Sequence, residues 1–212
     1  MPKTSPRPGR GRPRLSENDR ARTRQRIADC ALSLFQQQGY EAVSMRRIAR
    51  EADCTVMTLY RYFDRKIDLL RYLWAEIFND LFAKLVAIAN HEPEASGRLL
   101  AIARAYVQFW LEQREQYFLV FMSSGVSQPD VSIFVEDDGV VEQFLLFQRS
   151  VADTLDEPLD SPEVNLKTQS LLCSLNGIAH NLITISAYPW EDPDTLVRSA
   201  VSGIRSRSQP RP

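Results

Sequence analysis

Cysteine and histidine are both scarce in this sequence. The three cysteines, Cys30, Cys54 and Cys173, leave an odd count with no metal-like spacing. Each stands among residues read as helical, so buried free thiols are expected rather than disulfides. Two histidines, His91 and His180, offer no H-x-x-E-H type spacing, and no nucleophile elbow or glycine-rich phosphate loop accompanies them. The chain is therefore not expected to be an enzyme, and no metal or cofactor is expected. Long apolar runs are missing too: Lys84 interrupts the best candidate, LFAKLVAIA, well short of the roughly 18 residues a membrane span needs. The Pro- and Arg-rich N-terminus has no apolar core of a signal peptide. No membrane partner and a cytoplasmic location follow as expectations. Sustained period-two alternation is also absent, which argues against a sheet.

What the sequence does contain is charge, unevenly placed. The net charge of -1 hides a split: residues 1–66 carry 15 Lys and Arg against 7 Asp and Glu, and residues 67–212 carry 11 against 20. A basic front on an acidic body points to a polyanion partner for the front alone. Proline marks the divisions. Six of the 12 lie in the tails, and Pro93, Pro129, Pro158, Pro162, Pro189 and Pro193 stand where helical periodicity breaks. The expected fold is all-α with about nine helices. The first runs from Ser16, as N-cap, to Gly39 and buries Ile27, Ala31, Leu34 and Phe35. A second starts at Ser44 and a third, about 56–62, is capped by Thr55; a long fourth, capped by Asp64, runs to about Ala89. Further helices are expected at about 94–113, 115–123, 132–156, 162–187 and 193–206. Ser161-Pro162-Glu163 and Asp192-Pro193-Asp194 mark the last two starts.

The segment TVMTLYRYFDRK, residues 55–66, carries the functional signal. On a helix, Leu59 and Phe63 point to the apolar stripes of the first two helices. Thr58, Arg61 and Tyr62 share another face, with Val56 and Met57 at its start. Hydroxyls, a guanidinium and a phenol suit base edges and phosphates, and two short helices across a tight turn form a helix-turn-helix. The stretch SMRRIAREADCTVMTLYRYFDRKIDLL resembles the DNA-binding segment of the tetracycline-repressor (TetR) family. Ser44, Ile48, Ala49, Ala52, Thr58, Leu59, Tyr60, Phe63, Lys66 and Leu69 fit that family's pattern, over roughly residues 20–70. Two positions depart from it. Asp53 replaces the turn glycine, which Asp tolerates because it adopts positive φ better than most residues, and Met57 replaces a small residue of the recognition helix. The resemblance implies Arg46, Val56, Met57 and Thr58 near base edges, with Arg47 as an alternative to Arg46. It implies Ser44, Thr55, Tyr60, Arg61, Tyr62 and Lys66 near phosphates of double-stranded operator DNA.

Two further regions flank this unit. In the arm RPGRGRPRL, Arg10, Arg12 and Arg14 are free of acids, and Gly11-Arg12-Pro13 is similar to the AT-hook motif. Minor-groove insertion and a plain basic tail are both compatible with it. The organisation expected is an arm over 1–15, a DNA-binding domain over 16–66, a regulatory and dimerisation domain over 67–206 and a tail over 207–212. In the third, aromatics at helical spacing are either plain core or an apolar effector pocket. Phe109, Trp110, Tyr117, Phe121, Phe144 and His180 are the candidate lining, with Gln108 or Asn176 as further polar groups. The helix at 162–187 is apolar nearly all round and carries a small-residue stripe, Ser170, Ser174, Gly177 and Asn181. The resemblance implies a homodimer through the last two helices. The expected protein is a dimeric repressor released by a small apolar or amphipathic effector. A DNA-binding regulator without such an effector is the alternative.

Overall fold

Caps and breakers divide the chain much as their chemistry requires. The computed structural model describes residues 16–137 and 139–205, and every regular element among them is helical. The helices are α1 Glu17–Gln38, α2 Met45–Glu51, α3 Val56–Tyr60, α4 Lys66–His91, α5 Ala95–Glu112, α6 Arg114–Phe121, α7 Gln128–Asp137, α8 Val140–Leu155, α9 Pro162–Thr184 and α10 Pro193–Arg205. Ser16 caps α1 by accepting from the Asp19 amide at 3.1 Å, and Gly39, at φ 80°, ends it. Ser161 and Asp192 cap α9 and α10 by accepting from Val164 and Thr195 amides, each at 3.1 Å.

Two boundaries differ from expectation. Residues 132–156 do not form one helix: Gly139 takes φ 68° and splits the segment into α7 and α8, a conformation open to glycine at little cost. At the start of α4 the cap is Arg65 and not Asp64. Asp68, in the first turn, accepts from the Arg65 amide at 3.0 Å and pairs with its guanidinium at 2.7 Å.

Packing assigns α1, α2 and α3 to one unit around Ile27, Ala31, Ile48 and Leu59, all completely buried or nearly so. Each of the Ile and Leu side chains contributes roughly 1.5–3 kcal/mol by leaving water. The expected division at 66/67 falls in the first turn of α4, whose Leu69 and Leu70 close this same unit. Its later turns, through Phe78, Leu81, Phe82 and Leu85, carry the same continuous core on to α5 and α8, around Tyr106, Trp110 and Phe147. One helix therefore spans the core from the α1–α3 end to the α5 and α8 end. The cysteines are free thiols: Cys30 and Cys54 are half-buried, with burial raising both pKa values, whereas Cys173 is exposed on α9 instead of buried. No described helix is long and apolar enough to cross a membrane.

Candidate nucleic-acid interface and adjoining cavity

The turn between α2 and α3 depends on one backbone conformation. Asp53 sits at φ 45°, as its place in the turn requires, and the Cys54 amide donates back to Ala49 at 2.9 Å. Ser44 caps α2, accepting from Arg47 N at 3.3 Å, and Thr55 caps α3, accepting from Thr58 N at 3.0 Å. The two threonine hydroxyls also bond each other at 2.8 Å, which fixes Thr58 at the start of α3. With Leu59 and Phe63 buried, α3 has a single open side. Met57 is 79% exposed and Tyr60 46% exposed, beside exposed Arg61 and half-buried Val56, Thr58 and Tyr62. Arg46 and Arg47 are exposed on the adjoining face of α2. No acid lies between Asp53 and Asp64, so the α3 segment itself brings donors and apolar groups and no carboxylate to this surface.

Lys66 does not belong to that surface. Its ammonium donates to the carbonyls of Tyr40, Glu41 and Val43 at 2.8, 3.2 and 3.0 Å and lies 4.2 Å from the centre of the Tyr40 ring. An ammonium has three donors, and all three are engaged. Burial lowers its pKa. The residue ties the α1–α2 connection to α4, and the expected phosphate contact would have to displace one of these carbonyls. Arg10, Arg12 and Arg14 lie outside the described residues.

Between α4, α6, α7 and α8 lies a cavity of about 240 Å³. Trp74, Phe78, Phe121, Phe134 and Phe144 give it aromatic walls, and Asn176 brings an amide to it. The Tyr106 hydroxyl, also at the cavity, donates to Asn176 Oδ1 at 2.6 Å. Burial pushes the pKa of that phenol well up. Of the residues expected to line a pocket, Phe121, Phe144 and Asn176 do so. Trp110 packs behind the wall, edge-on to Phe121 at 5.2 Å. Tyr117 and His180 bond each other at 2.9 Å beside it, and Phe109 lies under the Lys84 ammonium, away from it. Gln108 is exposed and bonds Glu112. Trp74, Phe78 and Phe134 escape sequence reasoning. The first two read as core spacing on a long helix, and Phe134 falls in the segment whose break at Gly139 was the missing signal.

Comparison with known proteins adds the family. Residues 27–73 match the model of the bacterial regulatory proteins of the tetR family. Those residues carry a TetR-family DNA-binding segment. The chain is 34% identical over 143 residues to the HTH-type transcriptional repressor KstR of Rhodococcus jostii, covering 66% of this chain and 65% of that one. KstR of Mycolicibacterium smegmatis is 46% identical over 80 residues, 37% of this chain and 39% of that one. The chain thus matches less than two thirds of the length of these relatives. Among solved structures, the fatty acid degradation regulator FadR of Bacillus halodurans superposes with a TM-score of 0.68 at 18% identity, covering 87% of this chain and 97% of that one. FadR of Bacillus subtilis, solved with stearoyl-CoA, gives 0.69 at 16% identity, covering 86% and 97%. These likenesses establish the TetR fold, an N-terminal helix-turn-helix with a C-terminal helical domain. The family consists of regulatory proteins, not enzymes.

Proposed function

We propose that the protein is a dimeric transcriptional repressor that holds operator DNA with α2 and α3 and releases it when a small, largely apolar effector enters the cavity. The observation that carries this reading is the open side of α3, capped at Thr55 and free of acid. Arg46, Val56, Met57 and Thr58 then read base edges, with Arg46 reaching a guanine bidentately. Ser44, Thr55, Tyr60, Arg61 and Tyr62 meet phosphates, which position the protein without specifying sequence. The repressor sign draws support from the two KstR relatives, both named as repressors.

Dimerisation fits the uncharged open stripe of α9, where Ser170, Cys173 and Ser174 are exposed beside Gly177, and a Cβ added at Gly177 would meet nothing. A two-fold dimer presents its recognition helices to half-sites about 34 Å apart. For the effector, the support is a cavity with apolar walls and one amide. FadR of Bacillus subtilis, of the same fold, was solved with an acyl-CoA. The cavity is smaller than the roughly 300–1,000 Å³ of a drug-sized site, so the ligand is compact or displaces α7. This space favours the ligand-responsive reading over a regulator without effector.

The test is selection of bound fragments from genomic DNA with the full chain, followed by titration of the enriched sequence. A palindromic sequence bound by a dimer is the expected outcome. Absence of any enriched sequence sinks the reading.

A further inference from the structure

A basic groove at the C-terminal end of α3 extends the surface just described, from Arg61 and Tyr62 onto α1. Arg20 and Arg24, one turn apart on α1, line it with Gln25, Arg61, Tyr62 and Tyr72. Arg24 is held there by rings: its guanidinium carbon lies 4.3 Å from the centre of Tyr72 and 5.3 Å from that of Phe63. Tyr72 is itself fixed, edge-on to Phe63 at 5.6 Å and donating its hydroxyl to Gln25 Oε1 at 3.1 Å. Asp29 and Glu76 are near enough to act on the Tyr72 phenol. Yet among the described residues no carboxylate pairs with Arg20, Arg24 or Arg61, whereas Arg98 and Arg104, which tie helices together, pair with Asp153 and Asp194.

Stacking uses the face of a guanidinium and leaves its N–H edge free to donate. A planar fork held in place loses little freedom when it meets an oxyanion, and phosphate oxygens suit it bidentately. We infer that Arg20, Arg24 and Arg61 form a cradle for a backbone phosphate of the operator, separate from the contacts at the N-terminus of α2. This rests on the DNA-binding reading above and adds two α1 residues to it. The cradle has walls on α1, α3 and α4, so it is complete only while α4 keeps its packing against α1.

The test is titration of the full chain against its selected operator and a random duplex at several salt concentrations. Arg20→Gln with Arg24→Gln is expected to weaken binding to both duplexes roughly tenfold or more and to lower the log–log salt slope by about 2. Tyr72→Leu removes the brace and no charge, so binding weakens several-fold with the slope nearly kept. Should Tyr72→Leu unfold by circular dichroism, Arg24→Lys serves in its place, keeping the charge and losing the planar fork. Unchanged affinity and slope in the double variant, while the unaltered protein binds its operator, overturn the cradle. So does an effect confined to the specific sequence. If the unaltered protein binds no DNA, the functional reading has failed instead.

Discussion

Lys66 and Arg46 illustrate how differently two cations of one domain can act. Lys66→Met leaves the carbonyls of Tyr40, Glu41 and Val43 without their donor. Losing such a contact costs about 1–3 kcal/mol, and in a chain of this length each kcal/mol lowers Tm by about 2–4 °C. The salt slope of DNA binding stays the same, because no phosphate contact is removed. A normal Tm with a reduced slope would return Lys66 to the phosphates. Arg46→Ala is expected to do the reverse: an unchanged Tm, a loss of about 1–3 kcal/mol in operator affinity and relaxed preference at one base pair. Gel-shift titrations with single-base operator variants measure both effects. At this scale the sequence was legible where a side chain acts locally. Thr55 at the cap and Leu59 facing inward follow from spacing and side-chain chemistry, and Asp53 in the turn from the resemblance to the family. The role of Lys66 did not, because its partners are backbone carbonyls more than 20 residues away, and a carbonyl carries no sequence signature.

Among the elements, helix starts were read more easily than helix breaks. Ser16, Ser44, Ser161 and Asp192 cap the helices they precede, since a short side-chain acceptor before an apolar stripe has few other uses. Gly139 was passed over because an isolated glycine in a helical pattern is tolerated at about 1 kcal/mol and does not by itself mark an end. Tertiary ties between elements were invisible. Asp194, at the start of α10, pairs with Arg104 of α5, 90 residues earlier in sequence, and with Arg198 one turn on. Hydrogen bonds from Arg104 and then Arg198 hold its carboxyl below the ordinary carboxylate range. A depressed folded-state pKa means that the contribution is complete above the ordinary value and disappears as pH falls through the lowered one. Asp194→Asn is therefore expected to lower Tm modestly at neutral pH, with the gap to the unaltered protein closing as pH falls below the ordinary carboxylate range. Thermal melts across a pH series measure this, and a gap that persists in strong acid removes the pair from the account of how α10 docks.

Across the whole molecule, one helix connects the cavity to the DNA-facing unit. Leu69 and Leu70 of α4 pack in the core shared with α1, while Trp74 and Phe78, one and two turns on, form the cavity wall. From Lys66 to Trp74 is about 12 Å of helix. The Trp74 indole also donates to the Leu119 carbonyl of α6 at 3.0 Å, and α6 shares a groove with Phe35 and Tyr40 at the end of α1. A ligand that displaces Phe78 or Phe134 thus acts close to the α1–α4 contact, and in the proposed dimer a tilt of α4 would change both the spacing of the recognition helices and the brace on Arg24. Coupling of about 1–3 kcal/mol suffices to lower operator occupancy, provided the ligand prefers the non-binding spacing, since equal affinity for both states shifts nothing. Trp74 at the wall and Trp110 behind it are the reporters; Trp190 lies tilted against Tyr188, ring centres 4.4 Å apart, in the α9–α10 connection and is better replaced by Phe. In Trp190→Phe, compact apolar compounds carrying one hydrogen-bond acceptor are expected to quench fluorescence saturably and to release a preformed operator complex. Asn176→Leu, which removes the cavity's amide, should weaken both effects together. Phe134→Ala enlarges the space and should admit bulkier ligands. Quenching without release in every hit would break the link between cavity and DNA, and a lack of saturable quenching even in Phe134→Ala would remove the cavity as the effector site.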